Sequence, residues 1–279
     1  MNQKLLALFG LKWNPFTPDI PVEALWRHHH LDHFCWRMET LVQDGGFALI
    51  SGDPGTGKSV ALRTLAHHLA RLPDVHTGVL TRPQSRLPDF YRELGQLFGV
   101  PLSPHNRWAG FKALRHTWLS HVDATLKRPV LLIDEAQELA ANVLAELRIL
   151  ASADFDSRSI LTVVLCGDTR LTQLFRREDF LPVASRVRVR LALDYLPPET
   201  LADWLSHSVT QAGNPNLLTH EVIATLSEHA AGNLRVLATM ANELLAMAAK
   251  NDLPNIDQKL YLEVFAPPTE NRKPRRARA

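Results

Sequence analysis

Five short apolar runs punctuate the first two-thirds of the chain: FALIS (47–51), VHTGVLT (75–81), PVLLID (129–134), SILTVVLCG (159–167) and VRVRLAL (187–193). PVLLID is apolar up to its last residue, the pattern of a strand buried on both faces. VRVRLAL alternates, with Arg188 and Arg190 on one side. Between the runs, GKSVALRTLAHHLARL sets Val60, Leu62, Leu65, Ala66 and Leu69 at helical spacing, and LPDFYRELGQLFGV, WAGFKALRHTWLSHVDATL and NVLAELRILAS read as further helices. Strands alternating with helices predict an α/β domain in three layers, a five-stranded parallel sheet covered on both faces. From Pro198 to Phe265 the pattern is helical only, which predicts a small all-helical second domain. The expected boundaries are 1–194 for the α/β domain, with an N-terminal extension over 1–30, and 195–266 for the helical domain. Residues 267–279 have almost no apolar content and are expected to form a disordered basic tail.

Composition adds little: 46% hydrophobic and 22% charged residues over 279 positions suit a globular chain with a sizeable core. No apolar run approaches the ~20 residues of a membrane-spanning helix. MNQKLLALFGLKWNPF lacks the cleavage site of a secretory leader, and two cysteines, Cys35 and Cys166, make no disulfide framework. The expected setting is the cytoplasm, without membrane contact. Charge distribution says more. The net charge is +2, but NRKPRRARA (271–279) alone holds five basic residues and no acid, leaving the remainder at −3. Nucleic acid contact by the folded body therefore needs a local patch.

FALIS runs into Gly52-Asp53-Pro54-Gly55-Thr56-Gly57-Lys58-Ser59, which fits G-x-x-x-x-G-K-[ST] at every fixed position, with a strand before it and a helix after. The glycines let backbone N–H groups curl around phosphate oxygens. The following helix aims its N-terminal dipole at the same anion. Lys58 supplies a charge for the β and γ phosphates, and the Ser59 hydroxyl suits Mg²⁺. ATP and Mg²⁺ are the expected ligands. VLLIDEAQ then places Asp134 and Glu135 at the C-terminal end of a strand, where open α/β sheets bind ligands. Asp134 is expected to hold Mg²⁺ through water, and Glu135 to act as general base toward the attacking water. A helix start would explain two acids, but not a strand ending on them.

These residues resemble those of the AAA+ ATPases. FGLKWNPFTPDI, GGFALISGDPGTGKS and LLIDEAQEL resemble the ExeA-like branch, and the likeness covers roughly residues 10 to 265. The resemblance implies a P-loop NTPase of the AAA+ fold whose helical domain is a lid, and an ATPase that works as a homo-oligomer, ring or helical filament. It implies a polar sensor at the end of the fourth strand, Asp168 or Thr169, between which the sequence does not choose. It implies that Arg186, in LPVASRVRVRL, reaches the neighbouring subunit's nucleotide, and that Arg235, in AAGNLRVLATM, is the lid arginine. A basic edge strand and a solvated helix face are the plainer readings of these two arginines. Trp13, Pro15 and Phe16 are expected to pack against the core near the adenine side. Secretion members of the branch join the ATPase domain to a membrane span and a wall-binding segment; neither is seen in this sequence, so a stand-alone ATPase is expected. Such ATPases are similar to transposon-encoded regulators of the MuB, IstB and TniB kind, which assemble on double-stranded DNA with ATP and hand the target site to a DDE transposase. The resemblance thus implies a transposition regulator, the alternative being a helicase loader or a secretion-type ATPase that remodels a protein partner.

Two further clusters carry candidate chemistry. Arg82, Arg86, Arg92, Arg107, Lys112 and Arg115 fall within residues 82–115 with Trp108 and Phe111 among them, a pattern suited to phosphate contacts or to the solvated faces of two helices. RHHHLDH (27–33) suggests a metal, but three adjacent histidines on a helix cannot all face one ion, and a solvent-facing helix start is expected instead.

Overall fold

The computed structural model of the chain describes residues 2–80, 82–102, 106–125 and 127–265; the basic tail expected over 267–279 lies outside the described residues. The chain divides into two compact units, Pro21–Tyr195 and a second that joins residues up to Ile20 with those from Leu196 onward. Helix α1 (Asn2–Phe9) belongs to the second. The first then runs α2 (His29–Asp44), β1 (Gly46–Gly52), α3 (Lys58–Leu69), β2 (Val75–Leu80), α4 (Leu87–Leu97), α5 (Arg107–Ser120), β3 (Arg128–Ile133) and α6 (Ala141–Ala151). It continues through β4 (Ser152–Ala153), β5 (Arg158–Ser159), β6 (Thr162–Gly167), α7 (Thr169–Leu174), α8 (Leu181–Ala184) and β7 (Val187–Leu193).

Five strands form one parallel sheet in the order β2-β3-β6-β1-β7. Strand periodicity divides the sheet's side chains between its two faces. Phe47, Leu49, Leu131, Ile133, Val163 and Leu165 enter a core shared with α4 to α8. The residues between them, including Ala48, Ile50, Leu132 and Val164, enter a second core against α2 and α3. Burial on both sides explains the unbroken apolar runs, and β7 alternates because it is the edge strand.

The fourth expected strand, 159–167, is divided. Its first residue belongs to a small antiparallel hairpin in which Ser152 pairs with Ser159 and Ala153 with Arg158. The turn takes Asp154, Phe155 and Asp156 through left-handed φ values of 51°, 55° and 69°, and leaves Phe155 fully exposed at its tip.

In the second unit, α9 (Pro198–Ala212), α10 (His220–His229), α11 (Leu234–Lys250) and α12 (Gln258–Phe265) enclose a core of their own. Residues 5–16 join this core, so the expected extension of the α/β domain is corrected for that stretch. Phe9, Leu11 and Phe16 are buried among Leu201, Leu205 and Leu244. Polar contacts fix the same stretch: Lys12 N–H donates to the Ala212 carbonyl at 2.8 Å, Asn214 Nδ2 to the Phe9 carbonyl at 2.9 Å, and Asn14 Nδ2 to Asn242 Oδ1 at 2.8 Å. Among the described residues no helix is long and apolar enough to cross a membrane.

Candidate active site

The loop after β1 is built around one carbonyl. Asp53 O accepts from Thr56 Oγ1 at 2.9 Å and from Lys58 Nζ at 3.0 Å, which curls the loop and holds the lysine, only 9% exposed, over it. Gly57, with φ at 97°, is the N-cap residue of α3 and has no side chain to cap it, so the first N–H groups of the helix face the loop's concavity without a capping partner. A Cβ on Gly52 would stand 2.3 Å from the Leu193 carbonyl oxygen and 2.7 Å from Thr56 Oγ1, so the entry to the loop admits glycine alone. Uncapped amides, a helix dipole and a lysine around one hollow fit a polyphosphate.

β3 delivers the acids beside this loop. Asp134 accepts the Glu135 N–H at 2.9 Å and the hydrogen bond of the Cys166 thiol from the end of β6. Burial first, and then Asp134, push the Cys166 thiol above its ordinary value, while Lys58 opposes them. Asp134, Lys58 and Glu135 all act electrostatically on this thiol at the end of β6. A hydroxyl at Ser59 and a carboxylate at Asp134 are the hard oxygen donors that Mg²⁺ requires.

Glu135 sits in the left-handed region, φ 50° and ψ 40°, with an exposed side chain. Its carboxylate accepts from Gln137 Nε2, and Gln137 Oε1 accepts the Asp168 N–H at 3.2 Å. A Cβ on Gly167 would lie 2.5 Å from that same Oε1. Gln137 therefore ties the tip of β3 to the end of β6, a link that sequence reasoning missed; its one signal was a position three residues beyond Asp134.

The two sensor candidates are placed differently. Asp168 caps α7, accepting from Arg170 N–H at 2.9 Å and Arg170 Nε at 2.8 Å. Thr169 is exposed and lines an open cleft of about 330 Å³ with Gly52, Asp53, Arg176 and Asp194.

Arg186 lies at the other end of the sheet. It precedes Val187, which pairs with Phe47 at the start of β1, whereas the phosphate loop follows Gly52, which pairs with Leu193. At about 3.3 Å per residue the strand separates them by roughly 20 Å, farther than an arginine side chain reaches. Its guanidinium instead bonds to Asp156 in the hairpin turn and to the Pro182 carbonyl. Arg235 is exposed in the first turn of α11, which Asn233 caps by accepting the Arg235 N–H at 3.0 Å.

The basic cluster separates into two kinds. Arg107 pairs with Glu146, which is buried and also receives the Tyr91 hydroxyl. Arg115 donates to the Ile149 carbonyl at 2.8 Å and to the Ser152 carbonyl, at the end of α6. Both have partners within the fold, although the Arg107 side chain itself stays exposed, and Arg92 pairs with Asp89 at 3.2 Å. Arg82, Arg86 and Lys112 are exposed, as is Trp108, whose ring stacks on Phe111 and carries Lys112 Nζ 4.9 Å from its centroid.

The family description "AAA domain" matches residues 41–175. General secretion pathway protein A of Aeromonas hydrophila is 28% identical over 246 residues, covering 86% of this chain and 44% of that protein, so the chain spans less than half of this relative. Among solved structures, that of Drosophila ORC bound to DNA aligns with a TM-score of 0.70 at 17% identity, over 94% of this chain and 65% of that one. The Aeropyrum pernix ORC2 protein in its ADPNP-ADP complexes aligns at 0.67 and 15%, over 90% and 70%. By fold and by the match over residues 41–175, the chain carries an AAA domain built on the P-loop fold.

Proposed function

We propose that this chain assembles with ATP into a ring or helical filament on double-stranded DNA in the cytoplasm and presents the target site to a DDE transposase. Bound ATP supplies the bond to be broken, and Mg²⁺ neutralises phosphate charge. The remaining chemistry belongs to the chain. The α3 amides and Lys58 bind the phosphates, Ser59 and Asp134 hold Mg²⁺, and a Glu135 carboxylate oxygen accepts a proton from water. Thr169 is the better placed sensor, because the Asp168 carboxylate is occupied by its cap and by Arg170. Arg235 serves as the lid arginine.

The observation that carries the reading is the distance of Arg186 from its own phosphate loop. A cation at that end of the sheet can assist hydrolysis only in a neighbouring copy. Assembly would then align Arg82, Arg86 and Lys112 of many copies along one phosphate backbone, which a single copy contacts too sparsely. The solved relative bound to DNA shares this fold and supports the direction of the argument. Binding should need ATP, vary little with sequence and fall steeply with salt, since each phosphate contact releases counterions. Neutralising Arg82, Arg86 and Lys112 together should weaken binding to all sequences alike and flatten the salt dependence. Normal DNA binding by this triple variant would remove the proposed surface.

The second reading, an ATPase that remodels a protein partner as a helicase loader or secretion-type ATPase does, is favoured by the 28% identity to General secretion pathway protein A. It predicts ATPase activity that duplex DNA does not stimulate at any salt concentration.

A further inference from the structure

We infer that His28, His29 and His30 form a binding site for a borderline divalent transition-metal ion such as Zn²⁺, separate from the oxygen donors of the nucleotide site. The sequence argument against a metal assumed that all three histidines lie on a helix. They do not. α2 begins at His29, and His28 is its N-cap residue in an extended conformation, φ −77° and ψ 142°. That bend folds the three rings onto one another, with centroids 4.1 Å apart for His28 and His29, 4.7 Å for His28 and His30, and 4.0 Å for His29 and His30. One ring nitrogen from each lies within 4.8 Å of the others.

Tetrahedral coordination at 2.0–2.1 Å puts ligand nitrogens about 3.4 Å apart. His29 and His30 are exposed, so rotating their side chains closes that gap without disturbing the core. His28 is half-buried against Trp26, with ring centroids 5.7 Å apart, and serves as the fixed ligand. Three imidazoles suit Zn²⁺, Ni²⁺ or Co²⁺ and leave a coordination position for water, whereas Mg²⁺ and Ca²⁺ require oxygen.

The site has a cost that makes it testable. His28 Nδ1 accepts the His30 N–H at 3.3 Å, so in this state the ring proton is on Nε2. Ligation through Nδ1 displaces that hydrogen bond directly. Ligation through Nε2 moves the proton to Nδ1, where it can no longer accept. Metal binding and helix capping therefore exclude each other, and the His30 amide reports the exchange.

The test uses the full chain, stripped of metal and free of nucleotide. Zn²⁺ is titrated by calorimetry, Co²⁺ by its visible absorption, and the His30 amide is followed by NMR. The expected result is one ion per chain, a tetrahedral Co²⁺ spectrum and a displaced His30 amide signal. His29→Gln with His30→Gln should weaken Zn²⁺ binding by more than roughly 100-fold, beyond the 10–100-fold cost of losing an outer-shell partner. His28→Asn retains a good capping side chain and should lose the ion while keeping the fold. Zn²⁺ binding that is equal in wild type and both variants, or absent from the wild type at micromolar Zn²⁺, would overturn the site.

Discussion

In the proposed mechanism, Lys58 and Glu135 divide binding from hydrolysis. Lys58→Ala removes the loop's side-chain cation and should abolish nucleotide binding. Glu135→Gln should keep binding and lose about 10²–10⁴ in turnover, because the amide cannot accept the water's proton. Equilibrium titration with a fluorescent ATP analogue, beside single-turnover hydrolysis, separates the two; equal loss of affinity in both variants would contradict these roles. Gln137 acts through Glu135, as a positioning residue. Gln137→Ala should lower kcat with little change in KM, since it frees a carboxylate without touching the phosphate hollow, and Gln137→Glu should not rescue it, because a second carboxylate repels the first. The phosphate loop and the acids were legible because their spacing along the chain is itself the chemistry. Gln137 was not, because its meaning depends on the N–H of Asp168, 31 residues away.

Arg107 shows at the scale of elements why a cluster of cations misleads. It reads as a phosphate contact until α5 is packed on α6, where it meets a Glu146 side chain that is 6% exposed. Arg107→Ala should therefore destabilise the fold, by ~1–3 kcal/mol for a buried carboxylate left short of a partner. Chemical denaturation would register this as a lower midpoint at unchanged slope. An unchanged midpoint accompanied by loss of DNA affinity would return Arg107 to the role of a phosphate contact. The five-stranded sheet was readable because burial on both faces leaves continuous apolar runs. The hairpin of β4 and β5 was hidden, since two-residue strands have no period and Ile160 and Leu161 extend β6 in apolar character. Residues 1–20 carried a plain apolar pattern, but nothing local tells which core accepts Phe9, Leu11 and Phe16.

For the whole molecule, Arg186 is the residue that, in the proposed assembly, joins one copy to the next. It stands at the wrong end of the sheet for its own nucleotide, and within the chain it is paired with Asp156. Assembly must exchange that partner for the neighbour's phosphate, where an arginine supplied in trans is worth ~10³–10⁵ in rate. ATPase activity per chain should therefore rise with protein concentration. The most direct measurement mixes two inactive variants, Arg186→Ala and Lys58→Ala, over a range of ratios and follows phosphate release. Each lacks the half-site that the other retains, so mixtures should recover activity that neither shows alone, with a maximum between the two pure proteins. No recovery at any ratio, under conditions where the wild type is active, would contradict an active site completed by a second subunit.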